Sequence, residues 1–155
     1  VTVAQALHWF DLDMFYAEVK RVLKPQSILA VWSYNLLQIN PMVDDILSDF
    51  NENIVGDYWP AERQLVNEGY RNIAFPFAEI SPSGDNRAFK MTAMWSLNDL
   101  LGYLATWSSV VRYKAEQKKD PLKKIHAALK AAWGKESSKL VTWPLILKIG
   151  KIQSD

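Results

Sequence analysis

Two histidines, His8 and His126, are the side chains whose ordinary pKa suits proton transfer near neutral pH. The chain has no cysteine, which excludes thiol nucleophiles, disulfides and thiolate metal sites. His8 lies in Ala6-Leu7-His8-Trp9-Phe10-Asp11, directly after an apolar run, and is the candidate general base. Its plainer reading is a structural histidine bonded to backbone. Trp9 beside it offers either core packing or an aromatic wall that favours a cation. Tyr34 closes a second apolar run and is a candidate contact for a substrate. Tyr103 and Trp107 are four residues apart and share a helix face, a stripe that serves either as core or as a substrate wall. Arg112 could anchor a carboxylate through its forked guanidinium. His126 sits on a Lys-rich helix and reads as surface. Two histidines at 8 and 126 form no ligand cluster, so no metal site is expected.

These residues need elements to hold them. Residues 1–7 read as a buried strand. Asp11 is a good N-cap, and Leu12, Phe15, Tyr16, Val19, Val22 and Leu23 repeat on one helical face. Pro25 stops that helix. Residues 27–34 are apolar without alternation, as in a strand buried on both faces of a parallel sheet. Strand, helix and strand make a βαβ unit, normally right-handed. Helices are predicted over 41–50 and 60–68, with Pro60 at a first helical position and Gly69 as a stop. Residues 70–77 read as a strand that Pro76 limits to an edge. Ser81 to Asn86 form a loop, and 89–95 a strand. Ser96 with Asp99 predicts a capping box for a helix that runs to Tyr113. Lys114 to Lys119 read as a solvated basic run. Asp120 caps a further helix, with Pro121 at its first position and Gly134 as its stop. Residues 140–152 read as a long last strand.

The 155 residues suffice for one domain with a core. Eighteen basic and 17 acidic residues give a net charge of +1, which argues against nucleic-acid or membrane-surface binding. No apolar run reaches the ~20 residues of a membrane helix, and nothing resembles a signal peptide. A cytoplasmic location fits these features. Val1 is not a start Met and falls within an expected strand, so an upstream part is expected.

Six segments carry a resemblance: AQALHWFD, FYAEVKRVLKP, SILAVWSYN, GDYWPAERQLVNEGYRNIAFPF, WSLNDLLGYLATWSSVVRY and WPLILKIGKI. Together they resemble the C-terminal half of class I S-adenosylmethionine-dependent methyltransferases. They are most similar to the type 11 methyltransferases related to trans-aconitate methyltransferase. The resemblance implies an α/β fold with strands four to seven of a Rossmann-like sheet. The last strand would be antiparallel, and helical cap elements would fall at about 35–69 and 79–138 of one partial domain. Residues 1–7 would be the fourth strand, 27–34 the fifth, 70–77 the sixth and 140–152 the seventh.

It also implies S-adenosylmethionine as the cofactor of the parent enzyme and a small-molecule acceptor, a carboxylate being one choice, methylated by in-line transfer. Gln5, Ala6, Leu7 and Trp9 would line the cofactor, and His8 would stand between it and the acceptor. Tyr34, Tyr103, Trp107 and Arg112 would face the acceptor. The glycine-rich turn and the acidic residue that hold such a cofactor are not in this sequence. Activity and cofactor binding are therefore expected of the parent protein, not of residues 1–155 alone. A missing N-terminal half or a second chain, as in a homodimer, would cover the edge at 1–7. The competing reading is a non-catalytic binding or dimerisation module. Gln26 and Ser27 stand where the family has Gly-Gly, which predicts a reshaped turn and a cost to stability.

Overall fold

In the computed structural model, which describes residues 1–80 and 89–152, the helix predicted after Asp11 is α1 (Leu12–Val22). The Asp11 carboxylate accepts from the Met14 N–H at 3.1 Å, so the N-cap satisfies a donor that the helix cannot. The helix buries Tyr16 and Val19. It connects β1 (Thr2–Ala4) to β2 (Ile28–Tyr34), and these strands pair in parallel from Thr2↔Ala30 to Ala4↔Trp32. At the turn before β2, Gln26 keeps the left-handed backbone (φ 65°) that glycine favours. That geometry costs about 1 kcal/mol for a residue with a Cβ.

The chain divides into two compact units. The first comprises Val1–Asn35, Glu62–Lys90 and Pro144–Asp155. Its core joins Val3 and Leu7 to Tyr16 and Val19 of α1, Leu29 and Val31 of β2, and Val66, Tyr70 and Ile73. The last strand, β5 (Lys139–Lys151), pairs antiparallel with β2 from Ile28↔Lys151 to Tyr34↔Leu145. The short β3 (Ala78–Glu79) pairs antiparallel with β5, and β4 (Lys90–Trp95) also pairs with β5. The strand order is β1-β2-β5-β3. This is an α/β fold consistent with part of a Rossmann-like sheet, its last strand antiparallel as expected.

Three expectations are corrected here. Residues 70–77 form no strand. Tyr70 has φ 56° and Pro76 lacks an N–H, so the segment turns and the paired residues come later, at Ala78–Glu79. Ile73 is buried, and half-buried Phe75 and Phe77 pack edge-on around Tyr16 at 6.3 and 5.4 Å. β2 alternates after all. Leu29, Val31 and Ser33 are buried, whereas Ile28 is exposed and Ala30, Trp32 and Tyr34 are half-buried. The face that carries Trp32 pairs it with Leu147 of β5, and Phe89 and Leu145 join them in an apolar depression. β1 spans only three residues of the predicted seven. The loop expected at Ser81 to Asn86 lies outside the described residues.

The second unit comprises Leu36–Ala61 and Met91–Trp143. Asn40 caps α2 (Pro41–Asp49) by accepting from the Val43 N–H at 3.0 Å. The predicted capping box is present: Ser96 and Asp99 bond reciprocally at the start of α4 (Leu97–Ala105). The helix expected to continue to Tyr113 breaks. The Thr106 hydroxyl donates to the Tyr103 carbonyl at 2.7 Å, Trp107 takes an extended ψ of 133°, and α5 (Ser108–Gln117) starts afresh. Part of the basic run is thereby helical. The predicted Asp120 cap accepts from the Leu122 N–H at 3.1 Å and opens α6 (Leu122–Trp133), which Gly134 closes with φ 74°. Val43, Leu47, Phe50, Leu100, Leu104 and Leu129 are buried in this unit. Pro60 does not begin the helix near it: α3 is Arg63–Asn67, in the first unit.

Candidate functional site

The parallel strands β1 and β2 bring their carboxyl ends together, and open α/β sheets bind ligands at such ends. β1 stops because Gln5 turns into the left-handed region at φ 51°. Its backbone N–H still donates to the Trp32 carbonyl at 2.9 Å. Its side chain then completes the ladder. Gln5 Nε2 donates to the Tyr34 carbonyl at 3.1 Å, and Oε1 accepts from the Tyr34 N–H at 2.8 Å. The carboxamide stands in for the next residue of a strand that has ended. Both of its ends are thus engaged by the sheet. Gln5→Ala would remove both of these hydrogen bonds to the part-buried Tyr34 backbone. We expect a loss of about 2 kcal/mol in urea unfolding. A loss too small to measure would mean that water replaces the side chain.

One tight turn over Leu7–Trp9 follows, closed by Trp9 N–H to the Ala6 carbonyl at 3.0 Å. Leu7 plunges into the core, which fixes the turn. Ala6 and His8 are half-buried, and Trp9 is 57% exposed. The His8 and Trp9 rings lie 4.9 Å apart. His8 Nδ1 pairs with the Tyr70 hydroxyl at 2.7 Å. Tyr70 is 1% exposed and follows Gly69, which ends the α3 turn with φ 65°. Ser33 of β2 is fully buried, and its Oγ makes no hydrogen bond of ordinary geometry. Arg63 opens α3, where it donates from Nη2 to Asn35 at 2.7 Å and from Nε to Asn67 at 3.0 Å.

Burial, aided by the Arg63 charge and opposed by Glu62, holds His8 below the ordinary imidazole value of 6.5. Burial raises Tyr70, against smaller downward pulls from the His8 backbone and from Ser33. The sign of the His8 effect on stability follows. Below 6.5 the unfolded chain binds a proton that the folded chain resists, so stability is full above that value and falls as the pH drops toward the depressed pKa. Urea unfolding measured on both sides of pH 6.5 should show this decline, and His8→Gln should lessen it. His126 is common to both proteins and cancels in the comparison. An identical slope in the two proteins would contradict the assignment.

The first unit therefore brings together Gln5, Ala6, Leu7, His8, Trp9 and Tyr34 from the sequence expectation. Tyr103, Trp107 and Arg112 belong to the second unit. The Tyr103 ring lies tilted to Trp95 at 5.2 Å and edge-on to Trp143 at 5.9 Å. Trp107 is buried against Trp59 at 5.4 Å and Phe50 at 6.1 Å. Arg112 is exposed on α5. Sequence reasoning missed Ser33, Arg63 and Tyr70. Tyr70 is 62 residues from His8, so no spacing rule connects them. The usable trace was Gly69-Tyr70, a helix stop that reverses the chain. A separate cleft of about 550 Å³ is lined by Lys20, Phe75–Ala78, Lys151 and Ile152. It lies at the amino end of β2, where Lys151 pairs with Ile28, and holds none of these groups.

Among the described residues no helix is long and apolar enough to cross a membrane. No family model matches the chain. A curated relative, described as a putative methyltransferase of Dictyostelium discoideum, is 34% identical over 139 residues, which is 86% of this chain and 50% of the relative. A solved structure, described as a putative type II methyltransferase from Anaeromyxobacter dehalogenans, superposes with a TM-score of 0.87 at 38% identity. That match covers 99% of this chain and 64% of the other. The chain thus spans half the length of the curated relative it matches. In sequence and in fold it is similar to a portion of a methyltransferase, and the class read from its residues is borne out.

Proposed function

We propose that this chain forms the acceptor-side part of an S-adenosylmethionine-dependent methyltransferase that acts on a small molecule, with a carboxylate as the favoured acceptor. The observation that carries this reading is the exposed Trp9 ring set against His8, whose charged form burial disfavours, at the carboxyl ends of β1 and β2. When bound, the cofactor supplies a methyl group on a positively charged sulfur. A cation is favoured by an aromatic face and disfavoured by a charged imidazole, so the depressed pKa of His8 fits this cofactor. Trp9 and the Ala6-Leu7 backbone would border its sulfonium end. His8 would touch the acceptor oxygen and fix its line of approach, and alignment of this kind supplies most of what a methyl transfer needs.

The same proposal includes more polypeptide against β1. Among the described residues β1 is an edge strand, and the sheet face with Trp32, Leu145 and Leu147 is apolar. Unpaired parallel edges invite pairing. The greater length of both relatives supports a covering segment, and a second chain is the other occupant.

Calorimetric titration tests the reading. Residues 1–155 alone are expected to give no heat with S-adenosylmethionine. A form of the protein with upstream residues is expected to bind it at roughly micromolar Kd and to weaken on Trp9→Ala. Unchanged affinity in that variant removes Trp9 from the cofactor site. Absence of binding in the longer form sinks the reading and favours a non-catalytic binding or dimerisation module.

A further inference from the structure

The contact between half-buried His8 and the buried Tyr70 hydroxyl allows their protons to be placed. Tyr70 Oη has one hydrogen and two lone pairs. His8 Nδ1 stands 2.7 Å from it, the length of a strong bond. Tyr70 is 1% exposed, so its hydroxyl hydrogen needs an acceptor. Ser33 Oγ, also fully buried, makes no hydrogen bond of ordinary geometry and does not serve as that acceptor. The bond that the Tyr70 hydroxyl makes is to Nδ1. If Nδ1 carried a hydrogen, that hydrogen would occupy the contact, and the Tyr70 hydrogen would have no acceptor. The arrangement that satisfies both groups has Tyr70 donating to Nδ1.

We propose that Tyr70 is a positioning residue that locks His8 in the tautomer with its hydrogen on Nε2. The bond at one ring nitrogen of a histidine decides the state of the other. Among the described residues Nε2 has no hydrogen-bond partner, so its N–H is left for a ligand. With Nδ1 occupied, His8 presents a donor and not a lone pair. The use of that donor on an acceptor oxygen that arrives already deprotonated rests on the methyltransferase reading. The tautomer itself does not.

The test is a two-bond nitrogen–proton correlation spectrum of the chain with nitrogen-15-labelled histidine at neutral pH. His126→Gln identifies the second ring. The expected result is a pyridine-type Nδ1 and a pyrrole-type Nε2 for His8. Tyr70→Phe is expected to move both nitrogens toward an averaged value as the tautomers interconvert. A pyrrole-type Nδ1 in the unsubstituted chain overturns the proposal, as does a spectrum that Tyr70→Phe leaves unchanged. The unsubstituted spectrum decides the tautomer even where the variant fails to fold. No cofactor is needed, so failure here is separate from failure of the methyltransferase reading, which the titration decides.

Discussion

His8→Ala in a cofactor-binding form of the protein is expected to lower kcat about 10²- to 10³-fold, the usual loss when one preorganised donor is removed from a reacting oxygen. His8→Gln is expected to stay within about tenfold of the unsubstituted enzyme, a difference of about 1.4 kcal/mol. The contrast follows from proton placement. The glutamine carboxamide carries an N–H donor near the position of Nε2, and its oxygen can accept from Tyr70 as Nδ1 does. A general base gives the opposite pattern, because a carboxamide takes no proton. Gln would then fall as far as Ala. Steady-state kinetics on the two variants therefore separate donor from base. If neither variant changes kcat, His8 is structural, and Tyr70 merely packs against it. The depressed pKa of His8 works in the same direction in both functional cases, since it keeps the ring uncharged beside the exposed Trp9 face.

Local chemistry in the sequence located most of the elements. Asp11, Ser96 with Asp99, and Asp120 all cap helices as their residue types imply, because capping depends on residues three apart or fewer. Capping also shows that His8 and Trp9 stand just ahead of a helix. What failed was decided at a distance. Residues 70–77 have the aromatic and apolar content of a strand, yet Gly69 and Tyr70 both take positive φ and reverse the chain. Gln5 reads as part of a strand, yet its side chain, not its backbone, pairs with Tyr34. The apolar content of β2 suggested burial on both faces. The described chain covers the Leu29 and Val31 face with α1 and its neighbours and leaves Trp32 half-buried. The site was half legible for the same reason. Gln5 to Trp9 are contiguous, but Ser33, Arg63 and Tyr70 meet them only through the fold. Arg63 is the cation near His8, while the sequence pointed to Arg112.

Gly150→Ala is expected to destabilise the chain by about 3 kcal/mol, at the upper end for overpacking a buried site. Gly150 lies on β5, opposite Leu29 on one side and Glu79 on the other. A Cβ placed there would meet Phe75 Cε1 and Phe77 Cβ, each at 2.5 Å. Phe77 Cβ cannot swing away without its backbone, and the two rings are held against Tyr16, whose hydroxyl donates to the Ala74 carbonyl at 2.8 Å. Gly102→Ala is the control. Nothing lies within 4 Å of its added methyl on α4, so a gain of about 0.5–1 kcal/mol is expected from helix propensity. Urea unfolding of both variants measures the difference. Equal stability of Gly150→Ala and the unsubstituted chain would mean that the Phe75–Phe77 turn yields. The substitution also reaches the site. The segment from Gly69 to Phe77 carries Tyr70 and rests on β5 at both ends, with Gly69 against Ile146 and the two phenylalanines against Gly150. Overpacking one end should therefore disturb the Tyr70–His8 bond without touching either residue. His8 nitrogen shifts that move toward those of Tyr70→Phe would show that the last strand sets the site's protonation through this turn.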